Sequence, residues 1–368
     1  MGLTSAPRTF TKIMKPVLAS LRMIGHTNAI YIDDLYLQAD SAEECSNNVN
    51  DTEELLLSLG FTINQKKSVK QPSQQLTMLG FILDSRNMNV RLTEQKAERI
   101  KELCQNMRAR KNTTIQKLAE LIGKLCSSFP GVELGPLYYR ELERIKCKGL
   151  REHRGDFSST IDITPEAYSE LDWWISNVET SHKSIMHAEP SLIIESDASK
   201  EGWGATVKNG IPTGGRWTRE ESVLHINVLE LIAAFFGLKC FCSEMKNQHI
   251  RLLLDNSTAV SYINAMGGMK SNMCNKVAKT IWEWCTLRNL WITACHIPGV
   301  TNQAADTASR AFNDRTEWMI DKIIFEKITS AFFKPDVDLF ASRINRQLPN
   351  YVSWHADPEA KFVDAFIC

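Results

Sequence analysis

The sequence predicts an α/β (α+β) protein whose C-terminal half is a mixed five-stranded sheet with flanking helices. Three observations predict it. Residues 191–310 alternate strand and helix patterns in the order three strands, helix, strand, helices, strand, helix, which indicates a mixed sheet with helices packed on it. Residues 91–150 carry apolar residues at helical spacing on a basic background. The composition, 43% hydrophobic and 23% charged over 368 residues, is that of a folded chain of two or three domains. It excludes a mainly disordered chain, a collagen and a coiled-coil rod. Lys plus Arg (43) equals Asp plus Glu (43), so any surface for nucleic acid must come from local charge.

The elements follow in order. Thr9 to Met23 places Phe10, Ile13, Met14, Val17, Leu18 and Leu21 at helical spacing, with Pro16 inside as a possible kink. Ala29 to Ala39 is strand-like, with Asp33 and Asp34 at its middle. Glu43 to Leu59 reads as a helix closed by Gly60, and Leu79 to Leu83 as a short strand. A helix from Thr93 turns Ala97, Ile100, Leu103 and Met107 inward. The next starts at Thr113, where Thr113 and Gln116 have capping-box spacing, and buries Leu118, Leu121, Ile122 and Leu125. Between Phe61 and Leu125 there are 13 Lys/Arg against 5 Asp/Glu, so this stretch is either a solvated helix face or a phosphate-tracking surface. Residues 151–190 read as a connector containing one helix start, Thr164-Pro165-Glu166. Strands are expected at Leu192–Ser196, Gly204–Lys208, Arg216–Thr218, Ile250–Leu254 and Leu290–His296, with helices from Asn227, Ser257, Asn272 and after Asn302. The tail, 311–368, reads as helical to about Phe333 and then irregular.

The ten cysteines show one CxC, Cys240 and Cys242, and no CxxC or zinc-finger spacing, so free thiols in a reducing compartment are expected. The longest apolar stretch, Val228 to Cys242, is interrupted by Glu230 and Lys239 and is too short to span a bilayer. The N-terminus lacks an apolar signal core. A soluble intracellular protein with no membrane partner is expected, cytoplasm or nucleus being left open.

Four acids fall at element ends in residues 191–310. Asp197 ends the first strand, Glu230 lies at the start of the long apolar helix, Asp255 follows Leu252-Leu253-Leu254, and Asp306 lies in the terminal helix. Singly, each has a structural explanation: Glu230 as the partner of Asn227 in a capping box, Asp255 as a cap, Asp306 as a dipole partner. Together at a sheet end they would repel unless cations bridged them. Carboxylate oxygens suit Mg²⁺ or Mn²⁺, and two such ions ~3.5–4 Å apart can clamp both oxygens of a phosphodiester displacement.

Ser196-Asp197-Ala198-Ser199 with Gly202-Trp203-Gly204-Ala205, then Glu230, then Asp255-Asn256, then His296-Ile297-Pro298-Gly299 and Asn302-Gln303-Ala304-Ala305-Asp306 resemble, in order, the blocks of a retroelement ribonuclease H. The resemblance covers about 192–310. It implies the ribonuclease H fold and metal-dependent endonucleolytic cleavage of RNA in an RNA–DNA hybrid, with Asp197, Glu230, Asp255 and Asp306 as catalytic metal ligands. The chain departs from relatives that carry a mobile His after the Pro-containing turn. Here Gly299 and Val300 follow it, and His296 precedes it.

Tyr31-Ile32-Asp33-Asp34 resembles the signature of a reverse transcriptase palm. Gly2-Leu3-Thr4-Ser5-Ala6-Pro7-Arg8 and Phe10 upstream, Gly60-Phe61, Asn64 and Lys66-Lys67-Ser68 downstream, and Leu79-Gly80-Phe81 resemble neighbouring palm and primer-grip segments. With the tail Pro335-Asp336-Val337-Asp338-Leu339-Phe340-Ala341-Ser342-Arg343, the set resembles the DIRS-like, tyrosine-recombinase group of retrotransposons. The resemblance implies a partial palm at 1–90, a helical thumb-like region at 91–150, a connector at 151–190, a ribonuclease H-like domain at 191–310 and a tail of unknown role at 311–368. It implies Mg²⁺ or Mn²⁺ at Asp33 and Asp34 as well. RNA–DNA hybrid or duplex nucleic acid is the expected partner, bound through Lys67, Lys96, Arg99, Arg108, Arg110 and Lys111. The family's third palm carboxylate belongs upstream of the Gly-Leu-Thr-Ser-Ala-Pro run, so an N-terminally truncated palm with doubtful DNA synthesis is expected. A non-catalytic nucleic-acid-binding remnant and a retroelement-derived interaction protein are the alternatives.

Overall fold

In the computed structural model, residues 4–208, 210–312, 318–333 and 335–361 are described. Gly2 and Leu3 of the upstream motif lie outside them. The chain divides into two compact units, one drawn from Met1–Leu103, Pro130–Glu133 and Ile175–Met186, the other from Cys104–Phe129, Leu134–Trp174 and His187–Cys368. No helix among the described residues is long and apolar enough to cross a membrane.

In the first unit, the helix Ala6–Met23 buries Met14, Val17, Leu18 and Leu21, the i, i+3, i+4, i+7 stripe, and runs through Pro16. Ile13 is 51% exposed, against the inward position expected of it. What reads as one strand from Ala29 to Ala39 is a hairpin, Thr27–Tyr31 paired with Asp34–Gln38 and closed by Ile32 and Asp33. The buried Asn48 amide of the helix Ala42–Ser58 donates to Thr27 O (3.0 Å) and Gln38 O (3.2 Å), clamping the hairpin's open end. Gly60 closes that helix at φ +84°, as its sequence position predicts.

Gln75–Met78, Phe81–Asp84, Asn89–Leu92 and His182–Ser184 form a four-stranded antiparallel sheet. Leu79 and Gly80, expected to open a strand, instead turn between two strands with φ of 53° and 77°. The helix Glu94–Arg108 buries Ala97, Ile100 and Met107, but Cys104 takes the fully buried place expected of Leu103.

In the second unit, the helix Ile115–Cys126 buries the four predicted leucine and isoleucine positions. Its cap is Thr114, whose hydroxyl accepts from Lys117 N, and not Thr113. Thr113 is buried in a short strand facing Ile161, and the Gln116 amide bonds Glu120 instead.

The five-stranded sheet contains β1 (Leu192–Ala198), β2 (Gly202–Val207), β3 (Thr213–Arg216), β4 (His249–Leu254) and β5 (Trp291–His296) in the order β3-β2-β1-β4-β5. β1, β2 and β3 are antiparallel, whereas β4 runs parallel to both β1 and β5. The helices are α1 (Ile226–Cys242), α2 (Ser257–Asn264), α3 (Asn272–Thr286) and α4 (Gln303–Arg310). This is the expected mixed α/β architecture. α1 is apolar on nearly every side because it is covered on nearly every side. Trp203 and Trp217 pack on its Phe236.

The tail is not a loose appendage. Arg343 places its guanidinium 3.0 and 2.5 Å from the two Glu221 carboxylate oxygens, donates to Arg216 O and lies over the Phe236 ring. Tyr351 is fully buried and its hydroxyl donates to Asp357. The helix expected to reach Phe333 spans Lys322–Ala331.

Candidate active site

Parallel pairing builds the site. β1 and β4 are neighbours with Glu195 opposite Leu253, so both strands end on one edge, and Asp197 near the end of β1 comes beside Asp255 just past β4. Glu230 reaches the same place from α1. It is the fifth residue of that helix, too deep to cap it. The cap is His225, whose Nδ1 accepts from Asn227 N, while Asn227 Oδ1 accepts from Asn256 Nδ2. The capping-box explanation of Glu230 therefore fails, as does Asp255 as a helix cap: Asn256 caps α2 by accepting from Ala259 N.

One carboxylate oxygen each from Asp197, Glu230 and Asp255 lie within 4.8 Å of one another. Glu230 Oε2 is buried with no hydrogen-bond partner among the described residues. Burial first, then the Asp197 and Asp255 charges, push Glu230 up to about 9 against a smaller pull from the Ala198 backbone N–H. Burial also raises Asp197. The Ser309 hydroxyl opposes that, and the Asp255 and Asp306 charges add to it. An orphaned buried carboxylate oxygen beside two further acids is the donor set of a hard divalent cation.

Asp306 is outside this triad. It sits in α4, half-exposed, 2.8 Å from Arg310 Nε. The chain between β5 and α4 lies close against the acids. A Cβ on Gly299 would come 3.2 Å from Asp255 Oδ2, the buried Asn302 amide donates to Ser196 O, and His296 Nε2 lies 3.0 Å from Asp255 O. His296 thus meets main chain and not a carboxylate.

Asp33 and Asp34 lie in the other unit, exposed, in the turn and at the start of its second strand. Ile32 has φ 55°, a strained value for a β-branched residue. Among the described residues, no third acid joins these two at ligand distance.

The basic residues are spread over both units. Lys67 and Arg99 are exposed in the first, where Lys96 lies with its ammonium 3.7 Å from the Phe81 ring centroid. In the second, Arg108 pairs with Asp172 and stacks on Tyr168, Arg110 bonds Asn106 O, and Lys111 is exposed. The sequence reading missed Asn302 and Ser309 as contacts of the acidic strand. Ser309 could have been found, because it follows Asp306 by three residues and so shares its helix face.

Residues 1–83 match the family described as reverse transcriptase (RNA-dependent DNA polymerase). No curated protein matches the chain. Among solved structures, the foamy viral protease-reverse transcriptase in complex with dsDNA is 17% identical, covering 81% of this chain and 59% of that one at a TM-score of 0.41. The same protein in complex with RNA/DNA hybrid is 15% identical, covering 80% and 38% at 0.41. RNase H1 from the halophilic archaeon Halobacterium salinarum NRC-1 is 19% identical, covering 32% and 92% at 0.27. The chain thus spans 38% to 59% of those two foamy viral chains. TM-scores of this size carry no argument about activity.

Proposed function

We propose that the second unit is a metal-dependent endonuclease that hydrolyses the RNA strand of an RNA–DNA hybrid, within a DIRS-like retroelement reverse transcriptase. The observation that carries it is the convergence of Asp197, Glu230 and Asp255 with one buried carboxylate oxygen unpartnered. The substrate class is supported by the order of the sequence blocks around these acids and by the reverse transcriptase match at residues 1–83.

Asp197, Glu230 and Asp255 would hold Mg²⁺ or Mn²⁺, with Asp306 at the rim. Such an ion, when bound, would supply positive charge beside a scissile phosphodiester and would make a water more acidic. The chain's own residues do the rest. The three carboxylates would fix where the ion sits, and the burial of Asp197 and Glu230 limits bulk water around them. Arg310 holds Asp306 in place until substrate arrives. Exposed Lys67, Arg99 and Lys111 draw the phosphate backbone by charge alone. Primer extension is not assigned to Asp33 and Asp34, which lack a third acid at ligand distance among the described residues.

The test is hybrid cleavage, hybrid binding and primer extension in Mg²⁺ or Mn²⁺ for the parent, Asp197→Asn and Asp33→Asn. Asp197→Asn loses cleavage by orders of magnitude and keeps its hybrid affinity, while Asp33→Asn cleaves as the parent does. Parent-level cleavage by Asp197→Asn overturns the proposal. Salt-sensitive binding with no cleavage by the parent selects the non-catalytic binding remnant instead.

A further inference from the structure

We propose that Ser309 is a positioning residue for Asp197, and that its hydroxyl sets how tightly the acidic cluster takes a divalent cation. The proposal rests on the hydrolase reading above and deepens it.

Ser309 is fully buried in the last turn of α4. Its Oγ lies 2.7 Å from Asp197 Oδ2 and 2.9 Å from Asp306 O. A hydroxyl has one proton to give, so the two acceptors compete, and the ionised carboxylate is the stronger. The main chain of Ser309 is tied as well: Ser199 Oγ donates to Ser309 O at 2.7 Å. The serine is thus held from both sides, by the strand that carries Asp197 and by the turn that follows it.

What brings so short a side chain into reach is the missing bulk beneath α4. Gly204 pairs with Asp197 across β1 and β2. A Cβ there would lie 2.2 Å from Ala305 O and 2.6 Å from Ser309 N, and one on Gly214 would lie 2.6 Å from Ala308 O. The helix backbone therefore rests on strand backbone, and the hydroxyl at Ser309 meets the carboxylate without a longer arm. An Asp197 whose second oxygen is pinned presents its ligand oxygen in one orientation. Without the hydroxyl the carboxylate must be ordered by the ion itself. Outer partners of this kind are worth about 10–100-fold in metal affinity.

The experiment is Mn²⁺ binding to metal-free protein by calorimetry, with thermal unfolding in parallel, for the parent and three variants. Ser309→Ala binds Mn²⁺ about 10–100-fold more weakly. Ser309→Cys, a weak donor of similar size, falls between Ser309→Ala and the parent. Asn264→Ala removes two bonds to the Ala294 backbone, at 2.7 and 2.8 Å, neither of them made to an acid of the cluster, and so lowers the unfolding temperature at parent-like Mn²⁺ affinity. Parent-like affinity in Ser309→Ala overturns the proposal. So does equal weakening in Asn264→Ala, which would mean that affinity follows general stability. Should Ser309→Ala fail to fold, parent-like affinity in Ser309→Cys overturns it. A parent that binds no Mn²⁺ removes the metal site, and with it the hydrolase reading on which the role of Ser309 rests.

Discussion

Replacing Glu230 with Gln keeps the side chain's size and removes a charge that the metal-free fold tolerates badly. The group is 4% exposed, has a buried unpartnered oxygen, and is raised from 4.5 to about 9. Between those two values the folded chain holds a proton that the unfolded chain has released. Stability is therefore fully present below about 4.5 and falls as pH rises toward about 9. At about 1.4 kcal/mol per pH unit, this one group removes about 4 kcal/mol between pH 5 and pH 8. Glu230→Gln has no such proton, so its stability should be flatter over the same range by about that amount, whatever the amide costs at a fixed pH. Saturating Mn²⁺ should act in the opposite sense. It replaces the proton and restores the parent at pH 8, with proton release, and does much less for the variant. The assay is denaturant unfolding followed by tryptophan fluorescence. All nine tryptophans (173, 174, 203, 217, 282, 284, 291, 318 and 354) belong to the second unit, so the signal reports on that unit alone. Equal pH dependence in parent and variant, without metal, would refute the reasoning.

Two further outcomes are expected. Arg343→Ala leaves Glu221 without its fork partner and uncovers Phe236, so the second unit should lose about 3 kcal/mol, with Arg343→Lys recovering only part because an ammonium cannot reproduce the paired contact; chemical denaturation measures both. Neutralising Arg99 and Lys111 together should weaken duplex binding and lower the salt slope by about 0.9 for each phosphate no longer neutralised, while Arg108→Gln should change the slope less, since Arg108 already pairs with Asp172; binding titrations across salt concentrations decide.

Two of the acids were legible because they end or interrupt an apolar pattern: Asp255 after three leucines, and Glu230 in a helix whose only other charge is Lys239. Parallel pairing of β1 with β4 then does what no single segment can announce. Local chemistry was less legible. Thr113 and Thr114 are equally good caps by residue type and both lie in the short strand; the burial of Thr113 and the reach of the Thr114 hydroxyl to Lys117 N separate them. Leu79 has a strand-former's side chain but a turn's backbone, because Gly80 beside it lets two positive φ values close the hairpin. Beyond its helix the tail gave no periodic signal. Its contacts with the sheet and α1 run through scattered single groups, such as Arg343 on Phe236 and Ala356 O accepting from Thr213, a kind of packing with no period to detect.

The way Arg343 lies over α1 has a consequence for synthesis. Arg343 covers Phe236, and Glu359 and Asp357 act on the half-buried Lys239 and Cys240 of the same helix. Residue 343 follows residue 242, the end of that helix, by 101 positions. At about 5–20 residues per second on the ribosome, that is an interval of about 5–20 s. Asp197 and Glu230 are made before it and Asp255 early in it, yet throughout it the outer side of α1 lacks the cover that Arg343 provides. Nascent chains held in that window offer a greasy helix to whatever meets them, so chaperone demand should peak there and drop as the segment around Arg343 emerges.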